Sequence, residues 1–213
     1  MKFERLLEIV GNEPVFEPAL LLAGEISPAA VRLQISRWSQ AGKIIQLRSG
    51  LYALSPPYQK VKPHPFVIAN RMVHGSYVSC QSALAFYGLI PEIVPATTSI
   101  TTIRRGEWNT LWGWFYFQQV KMAFFYGYRL VDLGGEQQAF VAAPEKALLD
   151  LIYLQPGSTS LAYLQELRLQ DTARIDAGRL QELAERAGSP RLRRSVEMLI
   201  HQILANPEGL ETL

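Results

Sequence analysis

The chain has 213 residues, 48% hydrophobic and 19% charged, with a net charge of +2 and one cysteine, Cys80. That length fits one large domain or two small ones, and the apolar content is enough to fill cores. A lone cysteine excludes an internal disulfide framework, no run of about 18 apolar residues offers a membrane span, and residues 1–5 lack the apolar stretch of a signal peptide, so a cytoplasmic protein is expected.

Phe3, Leu6, Leu7 and Val10 recur at helical spacing, which predicts a first helix ended at Gly11-Asn12. The apolar run 15–23, with Phe16, Leu20 and Leu21, predicts a second helix stopped by Gly24. Ser27-Pro28 is an N-cap followed by proline at the first helical position, and Gly42 is a good C-cap, so a third helix spans 28–41. On it Val31, Ile35 and Trp38 form the buried stripe, and Arg32, Gln34, Ser36 and Arg37 lie off it. Residues 44–46 and 51–54 read as two short strands joined by Arg48-Ser49-Gly50. Three helices and a hairpin in this order are the winged helix-turn-helix pattern.

Charge distribution singles out this region. Between Glu25 and Glu92 there are 66 residues without an acid, holding Arg32, Arg37, Lys43, Arg48, Lys60, Lys62 and Arg71. Average acid content would put about six acids there. A helix and hairpin cleared of phosphate-repelling groups are the electrostatic footprint of a nucleic-acid reader. Arg32 and Arg37 are candidates for guanine and Gln34 for adenine, with Ser36 on the same helix. Lys43, Arg48 and Ser49 on the wing, and Ser27 at the helix start, are candidates for phosphate contact. The alternative, a winged helix used only for protein interaction, leaves the missing acids unexplained.

Pro56-Pro57 and Lys62-Pro63-His64-Pro65 place a boundary, giving domains 1–57 and 64–157 and a helical extension 158–213 packed on the latter. Helices are expected over 66–73 and 79–87, strands over 97–103, 113–119, 123–126, 129–133 and 139–142, and helices over 144–153, 161–167, 177–187 and 190–204. The fold class is therefore α+β, a winged helix followed by a mixed α/β domain with C-terminal helices.

Ten of the 22 aromatics lie between Trp108 and Tyr128, which marks that stretch as sheet core; the alternative is a stacking platform for RNA bases or a nucleotide. Glu145, Lys146 and Asp150 are read as a solvated helix face, and Arg191, Arg193 and Arg194 as a basic cluster that is solvated, extends a DNA footprint or meets an acidic partner. Cys80 is expected to be small and buried. His64, His74 and His201 have no ligand-spaced neighbours, so no metal, cofactor or catalytic constellation is expected.

Three motifs together resemble one family. Arg48-Ser49-Gly50-Leu51-Tyr52-Ala53-Leu54, then Ser82-Ala83-Leu84-Ala85-Phe86-Tyr87-Gly88-Leu89 with Pro91, then Ala143-Pro144-Glu145-Lys146-Ala147-Leu148-Leu149-Asp150 are similar in order and spacing to the AbiEi antitoxins of bacterial type IV toxin–antitoxin systems. The resemblance spans about residues 1–155 and leaves the helices from about residue 161 unmatched. It implies a non-enzymatic repressor whose winged helix binds double-stranded operator DNA of its own operon. It also implies a second domain that counters a nucleotidyltransferase-like toxin without a stable complex. The DNA-contacting role falls on the 27–41 helix and the 43–54 wing. Dimeric or cooperative binding to paired half-sites is a further expectation.

Overall fold

The computed structural model describes residues 1–22, 27–155, 157–158 and 160–204. Helix α1 (Phe3–Val10) buries Phe3, Leu6 and Val10. The expected second α-helix does not form. Phe16 instead exchanges backbone hydrogen bonds of 2.8 and 2.9 Å with Tyr52, and a 3-10 turn, Pro18–Leu22, follows. Pro18 has no N–H and disfavours a helical Glu17, so it splits the apolar run into an extended piece and a turn. Ala23 and Gly24 lie outside the described residues.

Helix α2 (Pro28–Gln40) starts as read: Ser27 Oγ accepts the Ala30 N–H at 3.3 Å, and Val31, Ile35 and Trp38 are buried. Strands β1 (Ile44–Arg48) and β2 (Leu51–Leu54) pair antiparallel, with a bulge between Gln46 and Arg48. Ile44 and Leu54 join the core formed by α1 and α2, whereas Leu47, Leu51 and Ala53 belong to the core of the following α/β unit. The hairpin is therefore apolar on both faces and wedged between two cores.

The proline-rich boundary is tethered rather than free. Gln59 Nε2 donates to the Leu54 carbonyl at 2.6 Å. The Gln137 amide accepts the His64 N–H at 2.8 Å and donates to the Lys62 carbonyl at 3.1 Å. Arg71 meets Glu13 at 3.4 Å and His74 meets Glu17 at 2.9 Å, further ties between the two units.

The second unit is built on a six-stranded mixed sheet of order β5–β6–β4–β3–β8–β7. Its strands are β3 (Ser76–Val78), β4 (Ala96–Thr101), β5 (Gly106–Thr110), β6 (Gly113–Gln119), β7 (Tyr128–Asp132) and β8 (Gln138–Ala142). β4 runs parallel to β6, and β3 parallel to β8; the other pairs are antiparallel. Helices α3 (Pro65–Met72), α4 (Cys80–Phe86) and α5 (Pro144–Leu154) pack with it. β3 and β5 were not anticipated, and the strand expected over 123–126 is a 3-10 turn, Met122–Phe124.

α6 (Leu161–Glu166), α7 (Ala177–Arg186) and α8 (Pro190–Leu199) add Leu164, Leu180, Leu192 and Val196 to the same core. The last helix stops being α at Leu199 and continues as a π turn, Ile200–Leu204. The architecture is α+β with a helical N-terminus, and no described helix is long and apolar enough to cross a membrane.

Candidate nucleic-acid interface

At roughly 100° per residue, α2 turns Val31, Ile35 and Trp38 inward and Ala29, Leu33, Ser36 and Gln40 outward. Arg32 and Arg37 flank that outer stripe. Both arginines and Ser36 are exposed, and no acid occurs on the helix. Gln34 is half-buried at the margin of the inner stripe. Ser27 is exposed, but its hydroxyl is engaged in the cap.

A groove of about 300 Å³ runs between α2 and the hairpin, lined among others by Arg32, Ser36, Gln40, Gln46 and Tyr52. Gln46 was missed by the sequence reading. The signal that could have found it was a lone polar residue among Ile44, Ile45 and Leu47 on the strand that follows α2.

The hairpin residues are placed differently from the expectation. Arg48 Nε donates to the Met72 carbonyl at the end of α3, 2.6 Å away, and its other nitrogen donates to the Ser49 carbonyl at 2.6 Å. The bulge beside Arg48 bends the strand toward this contact. Two of the three guanidinium nitrogens are thus engaged within the protein, one of them joining the two units, and Ser49 is exposed at the tip. Lys43 lies with its amine 4.6 Å from the centre of the Phe3 ring, at the far end of α2.

The carboxylates and lysine of α5 correct a second reading. Glu145, Lys146 and Asp150 are buried, not solvated. Lys146 Nζ donates to Asp150 and to the Phe124 carbonyl at 3.0 Å, and sits 3.6 Å from the Phe124 ring centre. Asp150 also accepts from Ser79 Oγ at 2.6 Å and Tyr77 OH at 3.1 Å. Burial pushes the Asp150 carboxyl above the usual range against the pull of Lys146. It pushes the Lys146 amine down against the pull of Asp150. The neighbouring Cys80 thiol is driven up, chiefly by burial and then by Asp150. Lys146 and Asp150 have no exposed surface, so this set ties α5 to β3 and the Phe124 turn rather than facing a substrate.

Glu145 accepts the Asp176 N–H at 3.0 Å and faces Arg179 at 3.9 Å. Of the C-terminal basic cluster, Arg191 donates to the Tyr153 carbonyl at 3.0 Å and Arg194 to the Pro190 carbonyl at 3.4 Å. Arg191 therefore completes the C-terminus of α5, where a cation is favoured by the helix dipole. Among the aromatics, Phe115, Phe117, Phe124 and Tyr126 are core, while Trp114 is 44% exposed, with its ring stacked on Tyr116 at 6.0 Å. β6 is therefore buried on its Phe115–Phe117 face and partly open on its Trp114–Tyr116 face.

No family model matches the chain, and no curated protein matches it. Among solved structures, the RV2827C protein from Mycobacterium tuberculosis is similar, with a TM-score of 0.60 and 16% sequence identity, over 97% of this chain and 79% of that one. Identity that low speaks for the fold alone.

Proposed function

We propose that residues 1–57 form a winged helix-turn-helix that binds double-stranded DNA through α2, and that the chain is a transcriptional repressor of the AbiEi antitoxin type. The carrying observation is the outer face of α2, which presents Arg32, Ser36 and Arg37 to solvent on a helix without an acid. A helix of this kind fits the major groove, where arginine reads guanine and small polar groups reach base edges. The order helix, short strand-like segment, 3-10 turn, capped helix and hairpin supports the same reading. In this arrangement Arg32 and Arg37 are the principal contacts, and Gln46 lines the groove beside Arg32. Ser36 adds a polar contact, and Gln34 sits at the edge of the face. Arg48 holds the wing against the second unit instead of touching phosphate. The toxin-countering role of the second unit rests on the motif resemblance, with a nucleotidyltransferase-like toxin as functional partner.

The test is fluorescence-anisotropy titration of the full chain on labelled duplex from its own upstream region, at several salt concentrations. Affinity that falls with salt, and is weakened in the Arg32→Ala, Arg37→Ala double variant, supports the reading. A double variant that binds as wild type does removes α2 from the interface. A second reading has its own observation, the exposed Trp114–Tyr116 stack, which suits the bases of single-stranded RNA. Glu107, exposed and paired across the sheet from Tyr116, places a carboxylate beside that stack and disfavours a phosphate backbone there.

A further inference from the structure

One large side chain on the outer face of α2 is not polar. Leu33 is 52% exposed at the centre of the outer stripe. It lies one helical turn after the exposed Ala29, with Ser36 and Arg37 one turn further on. The inner stripe already supplies the apolar contacts that hold α2 to its core, so Leu33 contributes little to folding. An exposed leucine between two arginines, on a helix without an acid, has a specific match in duplex DNA. The major groove presents one apolar group, the C5-methyl of thymine, beside guanine acceptors and anionic phosphates.

We infer that Leu33 reads thymine methyl groups in the major groove, so that the preferred site sets T·A pairs beside the guanines taken by Arg32 and Arg37. The inference rests on the proposed DNA-binding function and deepens it. Ala29 is the second apolar member of the stripe, and its small side chain lets the N-terminal half of α2 approach the base edges closely. Charge complementarity fixes the class of partner: guanidinium groups on both flanks of Leu33 favour a polyanion with an apolar stripe over an apolar protein face. The two roles are separable, because the arginines supply affinity and register and the methyl contact supplies discrimination.

The experiment uses the full chain and selects sites from a random-sequence duplex pool. Each selected site is then remade with uracil in place of thymine, which deletes the methyl and keeps every hydrogen-bonding group. Burial of one methyl is worth about fourfold in affinity, from about 0.8 kcal/mol per carbon and about 1.4 kcal/mol per tenfold. The wild-type protein should lose about fourfold for each contacted methyl, and Leu33→Ala should lose nothing further on the same replacement. Leu33→Gln should shift the selected sites away from thymine at that position.

Equal loss in wild type and Leu33→Ala would assign the methyl to another side chain and overturn the inference. No loss in wild type would overturn it as well. A changed sedimentation coefficient for Leu33→Ala would place Leu33 in a contact between copies of the chain, again against it. Absence of any duplex binding by wild type is a different failure, that of the DNA-binding reading itself.

Discussion

Replacing Lys146 by Met tests the buried polar cluster that ties α5 to β3. The amine has no exposed surface and makes two hydrogen bonds, one to Asp150 and one to the Phe124 carbonyl. Met keeps most of the aliphatic volume, so the change removes charge and donors without opening a large cavity. Breaking a buried ion pair by deleting one partner costs about 3–5 kcal/mol at neutral pH, because the remaining carboxylate is left uncompensated. The cost should depend on pH. Burial already raises the Asp150 pKa, and the opposing pull of Lys146 is lost in the variant. A carboxyl with a raised folded-state pKa favours the folded form fully below its unfolded value and loses that contribution as pH rises through the folded value. Lowering the pH into the ordinary carboxylate range neutralises Asp150. The remaining penalty is then about 1–3 kcal/mol for the stranded Phe124 carbonyl. Urea denaturation of both proteins at pH 7 and near pH 4, with far-UV circular dichroism as readout, measures the difference. A loss at pH 7 below about 1 kcal/mol, or a loss that does not shrink in acid, would refute the assignment of a charged pair.

Arg48→Ala should leave the salt dependence of the proposed DNA binding unchanged, since the side chain is held by the Met72 carbonyl. It should lower stability by about 1–2 kcal/mol for the lost charged hydrogen bond, read by thermal melting. Gly127→Ala should destabilise by about 2 kcal/mol or more, checked by the same melt, because φ is +77° and a Cβ would lie 3.0 Å from Lys146 Cγ. Trp114→Phe should remove the most quenchable part of the intrinsic fluorescence in an acrylamide titration, because Trp38 is buried, Trp108 and Trp112 are half-buried and Trp114 is 44% exposed.

Where local chemistry dictates structure, the sequence was readable. Ser27-Pro28 and Gly42 frame α2 because a cap, a fixed φ and a left-handed glycine act within one turn. β3 was invisible because three consecutive buried residues show no alternation. β5, Gly106 to Thr110, has little strand propensity and exists through its pairing with β6. The α5 charges were misread although a signal was present: Leu148, Leu149, Leu151 and Ile152 make the helix apolar around its circumference. A helix of that kind is buried, so a lysine and an aspartate four residues apart on it must pair with each other. Arg48 was misplaced because a hairpin tip is solvated by default, and only the tertiary packing of Leu47, Leu51 and Ala53 on the second core brings Met72 within reach. The exposed polar residues of α2 were legible from the 3.6-residue period, whereas a single leucine off the buried stripe, such as Leu33, carries no sequence signal of its own.

The measurement that bears most directly on DNA binding through α2 is a hydroxyl-radical footprint of the full chain on its own upstream DNA. Protection of one site, or of paired half-sites about one helical turn apart, is expected for wild type and should be lost in the Arg32→Ala, Arg37→Ala double variant. A uniform, unprotected ladder for wild type, or an identical footprint for the double variant, would contradict it.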